Sequence, residues 1–117
     1  MKSMIYYVED DNNIRELVVY ALKSSGFDAV GFDSGKTFFR EMRRQLPELI
    51  LLDIMLPDED GMSILKKLKK TESMKDIPVI MLTSKSAEYD KVIGLDTGAD
   101  DYVTKPFGVM ELVSRVK

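Results

Sequence analysis

The 117-residue sequence contains no cysteine, no histidine and no tryptophan. Without cysteine there is no disulfide frame, no thiolate nucleophile and no thiolate-bound zinc. Without histidine there is no Ser-His-Asp triad, no phosphohistidine and no imidazole for a metal. A metal would have to rest on oxygen ligands, which favours Mg²⁺ or Ca²⁺ over zinc or copper. Long apolar runs are missing too. Residues 49–52 are typical, far short of the ~20 that a bilayer span requires. The first residues lead straight into strand-like sequence without a signal-peptide pattern, so no membrane contact and a cytoplasmic location are expected. A basic excess is also absent. Lys plus Arg number 17 against 20 Asp plus Glu, a net charge of −3, which argues against this surface gripping nucleic acid by itself.

What is present fits one globular unit, residues 1–117, long enough to bury a real core. Two periodicities alternate along it. Residues 5–8, 28–32, 49–52, 79–82 and 102–103 read as short apolar or β-branched strands. Between them run helical spacings: Ile14, Leu17, Val18, Ala21 and Leu22, with Asn13 and Glu16 placed like a capping box and Gly26 as a stop. Ser34 can cap a helix carrying Phe38, Met42 and Leu46, and Pro47 follows it. Pro57 to Gly61 is turn material before Ile64, Leu65 and Leu68. Val92, Ile93 and Leu95 suggest a short helix stopped at Gly98, and Val109, Leu112, Val113 and Val116 a final amphipathic one. Five β-α units imply a parallel sheet with helices on both faces.

Ligands of such sheets bind beyond the carboxyl ends of the strands. The residues just past each apolar run therefore matter most. They are Glu9, Asp10 and Asp11; Asp53; Thr83 and Ser84; Thr104 and Lys105. Three carboxylates brought close together repel strongly unless a cation relieves them. With few oxygen ligands, Mg²⁺ retaining waters fits better than a full Ca²⁺ cage. A carboxylate beside Mg²⁺, a hydroxyl and an ammonium is placed to act as nucleophile toward phosphorus.

Four segments carry a family resemblance: Val8-Glu9-Asp10-Asp11; Leu51-Leu52-Asp53-Ile54-Met55-Leu56-Pro57 with Gly61; Pro78-Val79-Ile80-Met81-Leu82-Thr83-Ser84; and Gly98-Ala99-Asp100-Asp101-Tyr102-Val103-Thr104-Lys105-Pro106-Phe107. Together they resemble the receiver domain of two-component response regulators over essentially the whole chain. The resemblance implies a flavodoxin-like (βα)5 three-layer sandwich with parallel strand order 2-1-3-4-5. It implies that Asp53 accepts phosphate from a sensor histidine kinase. Asp10, Asp53 and the Met55 backbone carbonyl would hold Mg²⁺, with Glu9 acting through a metal-bound water. Thr83 and Lys105 would take the phosphoryl oxygens, a cis peptide before Pro106 would aim Lys105 inward, and Tyr102 would be the switch aromatic. Phosphorylation adds roughly two negative charges. Thr83 would turn toward them, Tyr102 would fill the vacated space, and the face built by the fourth helix, last strand and last helix would change.

Lys91, Asp100, Asp101, Glu111 and Arg115 resemble the transcription-factor subfamily with a winged-helix output domain. There such charges pair across a symmetric homodimer, here Lys91 with Glu111 and Asp101 with Arg115. The plainer reading is a set of solvated surface pairs, each worth ~1 kcal/mol or less. The last helix runs to Lys117 without a Gly or Pro stop, as expected of a domain cut before a C-terminal, DNA-binding output domain.

Three other readings compete. A pseudo-receiver would mediate dimerisation without phosphate, but the complete acid set, Thr83 and Lys105 argue against that. A small Mg²⁺-dependent hydrolase would need a second acid two residues after its nucleophile, where Met55 stands. Gly31 to Thr37 imitates a phosphate-binding loop but is one residue short between its glycines; a turn capped by Ser34 is the alternative. The lysines at 66, 67, 69 and 70 read as a solvated helix face.

Overall fold

Alternation along the strands decides the layers. In the computed structural model, which describes residues 3–54, 56, 60–84, 100–105 and 108–116 (83, 84, 102, 104, 105 and 109 by backbone alone), the elements are β1 (Met4–Val8), α1 (Asn12–Ser24), β2 (Asp28–Phe32), α2 (Gly35–Arg44), β3 (Leu49–Asp53), α3 (Gly61–Lys70), β4 (Val79–Ser84), β5 (Asp101–Lys105) and α4 (Val109–Val116). The five strands form one sheet in the order β2-β1-β3-β4-β5, all parallel. This is the expected flavodoxin-like order. The helix expected around Val92, Ile93 and Leu95 lies outside the described residues.

Successive strand residues point to opposite faces, and the core divides accordingly. Tyr6, Val8, Ile50, Leu52, Val79 and Met81 pack with Phe38 and Met42 of α2 and with Ile64, Leu65 and Leu68 of α3. Ile5, Tyr7, Leu51, Ile80, Leu82 and Val103 pack with Val18 and Leu22 of α1 and with Leu112 and Val113 of α4. The result is three layers, with strands covered on both sides, as unbroken apolar runs require.

Helix ends differ from the sequence reading in two places. α1 starts earlier than the Asn13 capping box suggests: Asp11 is the N-cap, its carboxylate accepting from the Ile14 N–H at 3.0 Å. An acid in extended backbone directly after the strand-end turn satisfies an orphan donor as soon as the helix can begin. α2 ends at Arg44, with Gln45 in extended backbone, so Leu46 is not on the helix and is 42% exposed. Pro47 disfavours helical geometry at the residue before it. Gly26 does serve as the stop of α1, with φ 98°, a conformation that glycine adopts without a Cβ penalty.

Candidate acidic site at the carboxyl edge of the sheet

All five strands end on the same edge. β1 runs into Glu9, whose N–H still donates to the Phe32 carbonyl at 2.9 Å, and β3 ends on Asp53 itself. The register pairs Val8 with Leu52, Asp53 with Leu82, Thr83 with Thr104 and Ser84 with Lys105. The backbones of residues 83 and 105 therefore lie on the same edge as the acids.

Glu9 is 1% exposed and Asp53 2%, the buried charged side chains among the described residues. Asp10 is open to solvent. Glu9, Asp10 and Asp53 each offer a carboxylate oxygen, and the three oxygens lie within 4.8 Å of one another. Two unit charges at that separation repel by ~3 kcal/mol even at an effective dielectric of ~20. Two sunken carboxylates and one open to water form a hard-oxygen donor set that suits a small divalent cation keeping part of its hydration shell. The donor chemistry fits Mg²⁺.

The surroundings hold Glu9 from several sides. The Tyr7 hydroxyl donates to Glu9 Oε1 at 3.1 Å, and the Asp11 N–H reaches Glu9 Oε2 at 3.3 Å. Arg15, one turn into α1, donates to the Glu9 carbonyl at 2.7 Å and also to the Asn12 side chain. Burial first, then the neighbouring Glu9 carboxylate, pushes the Tyr7 hydroxyl far above its ordinary value. It therefore remains a donor. Sequence reading missed both Tyr7 and Arg15. For Tyr7 the signal was available, because a residue two before the acid on a strand shares its face. For Arg15 there was none short of the turn geometry itself.

Gly61 has a different task from the turn residue the sequence suggests. Its N–H donates to the Ile54 carbonyl at 2.8 Å. A Cβ built on it would stand 2.2 Å from the Asp53 carbonyl oxygen and 2.7 Å from the Ile54 Cα. The start of α3 is thus pressed against the end of β3, and only glycine leaves room.

The structure brings Glu9, Asp10 and Asp53 together as expected. Met55, Lys91 and the Pro106 peptide lie outside the described residues, as do the side chains of Thr83, Tyr102 and Lys105. The charges assigned to a dimer face show a second behaviour. Arg115 donates to Asp101 within one chain at 2.8 Å. The Asp100 carboxylate accepts from the Val79 N–H at 2.8 Å, at the opposite end of the sheet from the acids. Glu111 is exposed on α4. Two other sequence features settle into structural roles. Ser34 caps α2, accepting from the Thr37 N–H. On α3, Lys69 donates to the carbonyls of Lys75 and Ile77, and Lys67 lies 5.6 Å from the Phe39 ring centroid. No helix among the described residues is long and apolar enough to cross a membrane.

Comparison with known proteins agrees with this arrangement. The response regulator receiver domain family matches residues 5–117. The chain is 45% identical, over its whole length, to the phosphate regulon transcriptional regulatory protein PhoB of Escherichia coli K12, covering 51% of that protein. It is 42% identical to the alkaline phosphatase synthesis transcriptional regulatory protein PhoP of Bacillus subtilis 168, again over its whole length, covering 48% of it. It therefore spans about half the length of these curated relatives. The BeF3-activated N-terminal receiver domain of Klebsiella pneumoniae RstA superposes with a TM-score of 0.86 at 32% identity, over 97% of this chain and 94% of that one. The chain belongs to the response regulator receiver domain family of two-component systems, and its relatives include transcriptional regulators.

Proposed function

We propose that this chain is a phosphoacceptor switch in which Asp53 takes a phosphoryl group from the phosphohistidine of a sensor histidine kinase. The observation that carries the reading is the buried Asp53 carboxylate at the end of β3, gathered with Glu9 and Asp10 within 4.8 Å. Asp10, Asp53 and the Met55 backbone carbonyl would hold Mg²⁺, with Glu9 acting through a water. Bound there, the cation neutralises the carboxylates and the charge on the phosphoryl oxygens.

The residues of the chain do the rest. An Asp53 oxygen attacks phosphorus, the O–P bond forms, and the P–N bond of the donor breaks with the imidazole nitrogen as leaving group. The Thr83 hydroxyl and Lys105 ammonium take the transferred oxygens. Met55 cannot protonate a leaving group or activate water, so the aspartyl phosphate persists and the domain is a signalling acceptor rather than a turnover enzyme. The new charge draws Thr83, and Tyr102 follows. The face that includes β5 and α4 then favours a homodimer. In this reading the intrachain Arg115–Asp101 bridge must open for Arg115 to reach the Asp101 of a second copy, while Lys91 meets Glu111 and Asp100 stays at the base of the sheet. Contact with DNA would pass through a C-terminal output domain, this chain being the receiver part, and the cytoplasm is the compartment that suits such a kinase-fed switch.

Beryllofluoride with Mg²⁺ imitates the phosphoryl group and tests the reading. Light scattering should show a shift toward dimer, with a change in tyrosine fluorescence that neither reagent produces alone. Dimers already present without the additive, and unchanged by it, would indicate a phosphate-independent module. Rapid steady-state hydrolysis of small phosphate esters would indicate a hydrolase.

A further inference from the structure

We infer that Tyr7 is a positioning residue for the cation site and acts on it through Glu9. The inference rests on the reading of the acidic cluster given above. Tyr7 and Glu9 project to the same face of the sheet, two residues apart along β1 and its continuation. The neighbouring strand contributes Leu51 to that face, opposite Tyr7 in the register, and two residues on it contributes Asp53. The Tyr7 ring is fully buried in the core shared with Val18 and Leu22 of α1 and Leu112 of α4. Such a position needs only an apolar side chain, and phenylalanine would fill it. The hydroxyl adds a polar atom to a dry environment, which is tolerated because it finds a partner. That partner is a carboxylate of the metal cluster and not a backbone group.

Glu9 is therefore held at both oxygens: Oε1 accepts from the Tyr7 hydroxyl and Oε2 from the Asp11 N–H. The two donors fix the plane of a buried carboxylate whose own oxygen lies within 4.8 Å of oxygens of Asp10 and Asp53. Hydrogen bonds of this kind orient groups around a metal: losing the partner of a direct ligand typically costs 10- to 100-fold in metal affinity, and Tyr7, one bond further out through Glu9, belongs at the low end of that range. Glu9 has its backbone carbonyl pinned by Arg15 as well, and Tyr7 reaches its carboxylate from the interior of the sheet. Tyr7 thus sets the orientation of an acid it precedes by two residues, while touching neither the cation nor the phosphoryl group.

The test is a Mg²⁺ titration by calorimetry on the whole chain, using Tyr7→Phe, Glu9→Gln and the double variant. Tyr7→Phe keeps the ring and removes only the hydroxyl, and thermal unfolding without Mg²⁺ reports on its fold separately. Tyr7→Phe should bind Mg²⁺ about tenfold more weakly than the unaltered chain. In the Glu9→Gln background the same change should make no further difference, the mark of coupling through Glu9. Unchanged affinity in Tyr7→Phe, with or without a lower melting temperature, would reduce the hydroxyl to a structural role and overturn the inference. An equal loss in both backgrounds would overturn it too, since Tyr7 would then act independently of Glu9. If the unaltered chain bound no Mg²⁺, the reading of the cluster would fall and the inference with it.

Discussion

Replacing Gly61 by alanine should both destabilise the domain and disturb its acidic edge. The added Cβ would begin 2.2 Å from the Asp53 carbonyl oxygen and 2.9 Å from the Asp53 carbonyl carbon, with the Ile54 Cα at 2.7 Å. These are backbone atoms at and just past the end of a central strand, so no side chain can rotate away. To reach ordinary contact, α3 or the end of β3 must move by about 1 Å, since contacts under 3.0 Å are essentially never seen. Overpacking of this kind costs ~1–3 kcal/mol. Losing the Gly61 to Ile54 hydrogen bond adds ~1 kcal/mol, while alanine in a helix recovers up to ~1 kcal/mol. The net expectation is ~1–3 kcal/mol, a substantial part of the 5–15 kcal/mol that holds a typical domain. For a chain of this length each kcal/mol lowers the melting temperature by ~4 °C, so circular dichroism should record a fall of ~4–12 °C. Mg²⁺ affinity should drop alongside, because Asp53 rides on the displaced strand end. A Gly61→Ala variant within ~0.5 kcal/mol of the parent, with unchanged Mg²⁺ binding, would refute the close-approach argument.

Asp11→Ala removes the carboxylate that accepts from Ile14 and should cost ~1 kcal/mol, read from urea midpoints, whereas Asp11→Asn should stay within a few tenths because asparagine caps about as well. Stability should also fall at alkaline pH. Burial, then the charge of Glu41, raises the folded-state value of Tyr6 above its ordinary 10.0. The folded chain therefore keeps a proton that the unfolded chain releases, so the contribution is intact below pH ~10 and fades as pH climbs toward the folded value. Tyr6→Phe should make that part of the pH profile shallower without levelling it, since buried Tyr7 also keeps its proton in the folded chain, even though losing the 2.7 Å bond from Tyr6 to the Gln45 carbonyl lowers stability at every pH.

The sheet was legible in the sequence because its strands are short apolar runs covered on both faces. The acids and hydroxyls immediately after those runs needed only the rule that parallel strands end on one edge. This is why Glu9, Asp10 and Asp53 could be gathered from positions 44 residues apart without knowledge of the turns. Helix ends were less legible. Asp11 and Asn13 are both competent caps, and only the tight exit from β1 decides for Asp11. Leu46 fits the helical period, but the proline after it disfavours helical geometry there, and the helix ends at Arg44. Least legible was the support around the acids. Tyr7 reads as one more core residue, and Gly61 as one more turn glycine. Their roles depend on distances of about 3 Å or less that no periodicity encodes. The same holds for Asp101 and Arg115, whose charges pair equally well within one chain or between two.

The central claim, that Asp53 is the atom source for attack on phosphorus, is open to a single measurement. Incubating the chain with a small-molecule acyl phosphate and Mg²⁺, then locating the added phosphoryl group by mass spectrometry, should place it on Asp53 alone. The label should vanish in Asp53→Asn and on chelation of the cation. Labelling that persists in Asp53→Asn, or that maps to any other residue in the parent, would contradict the account.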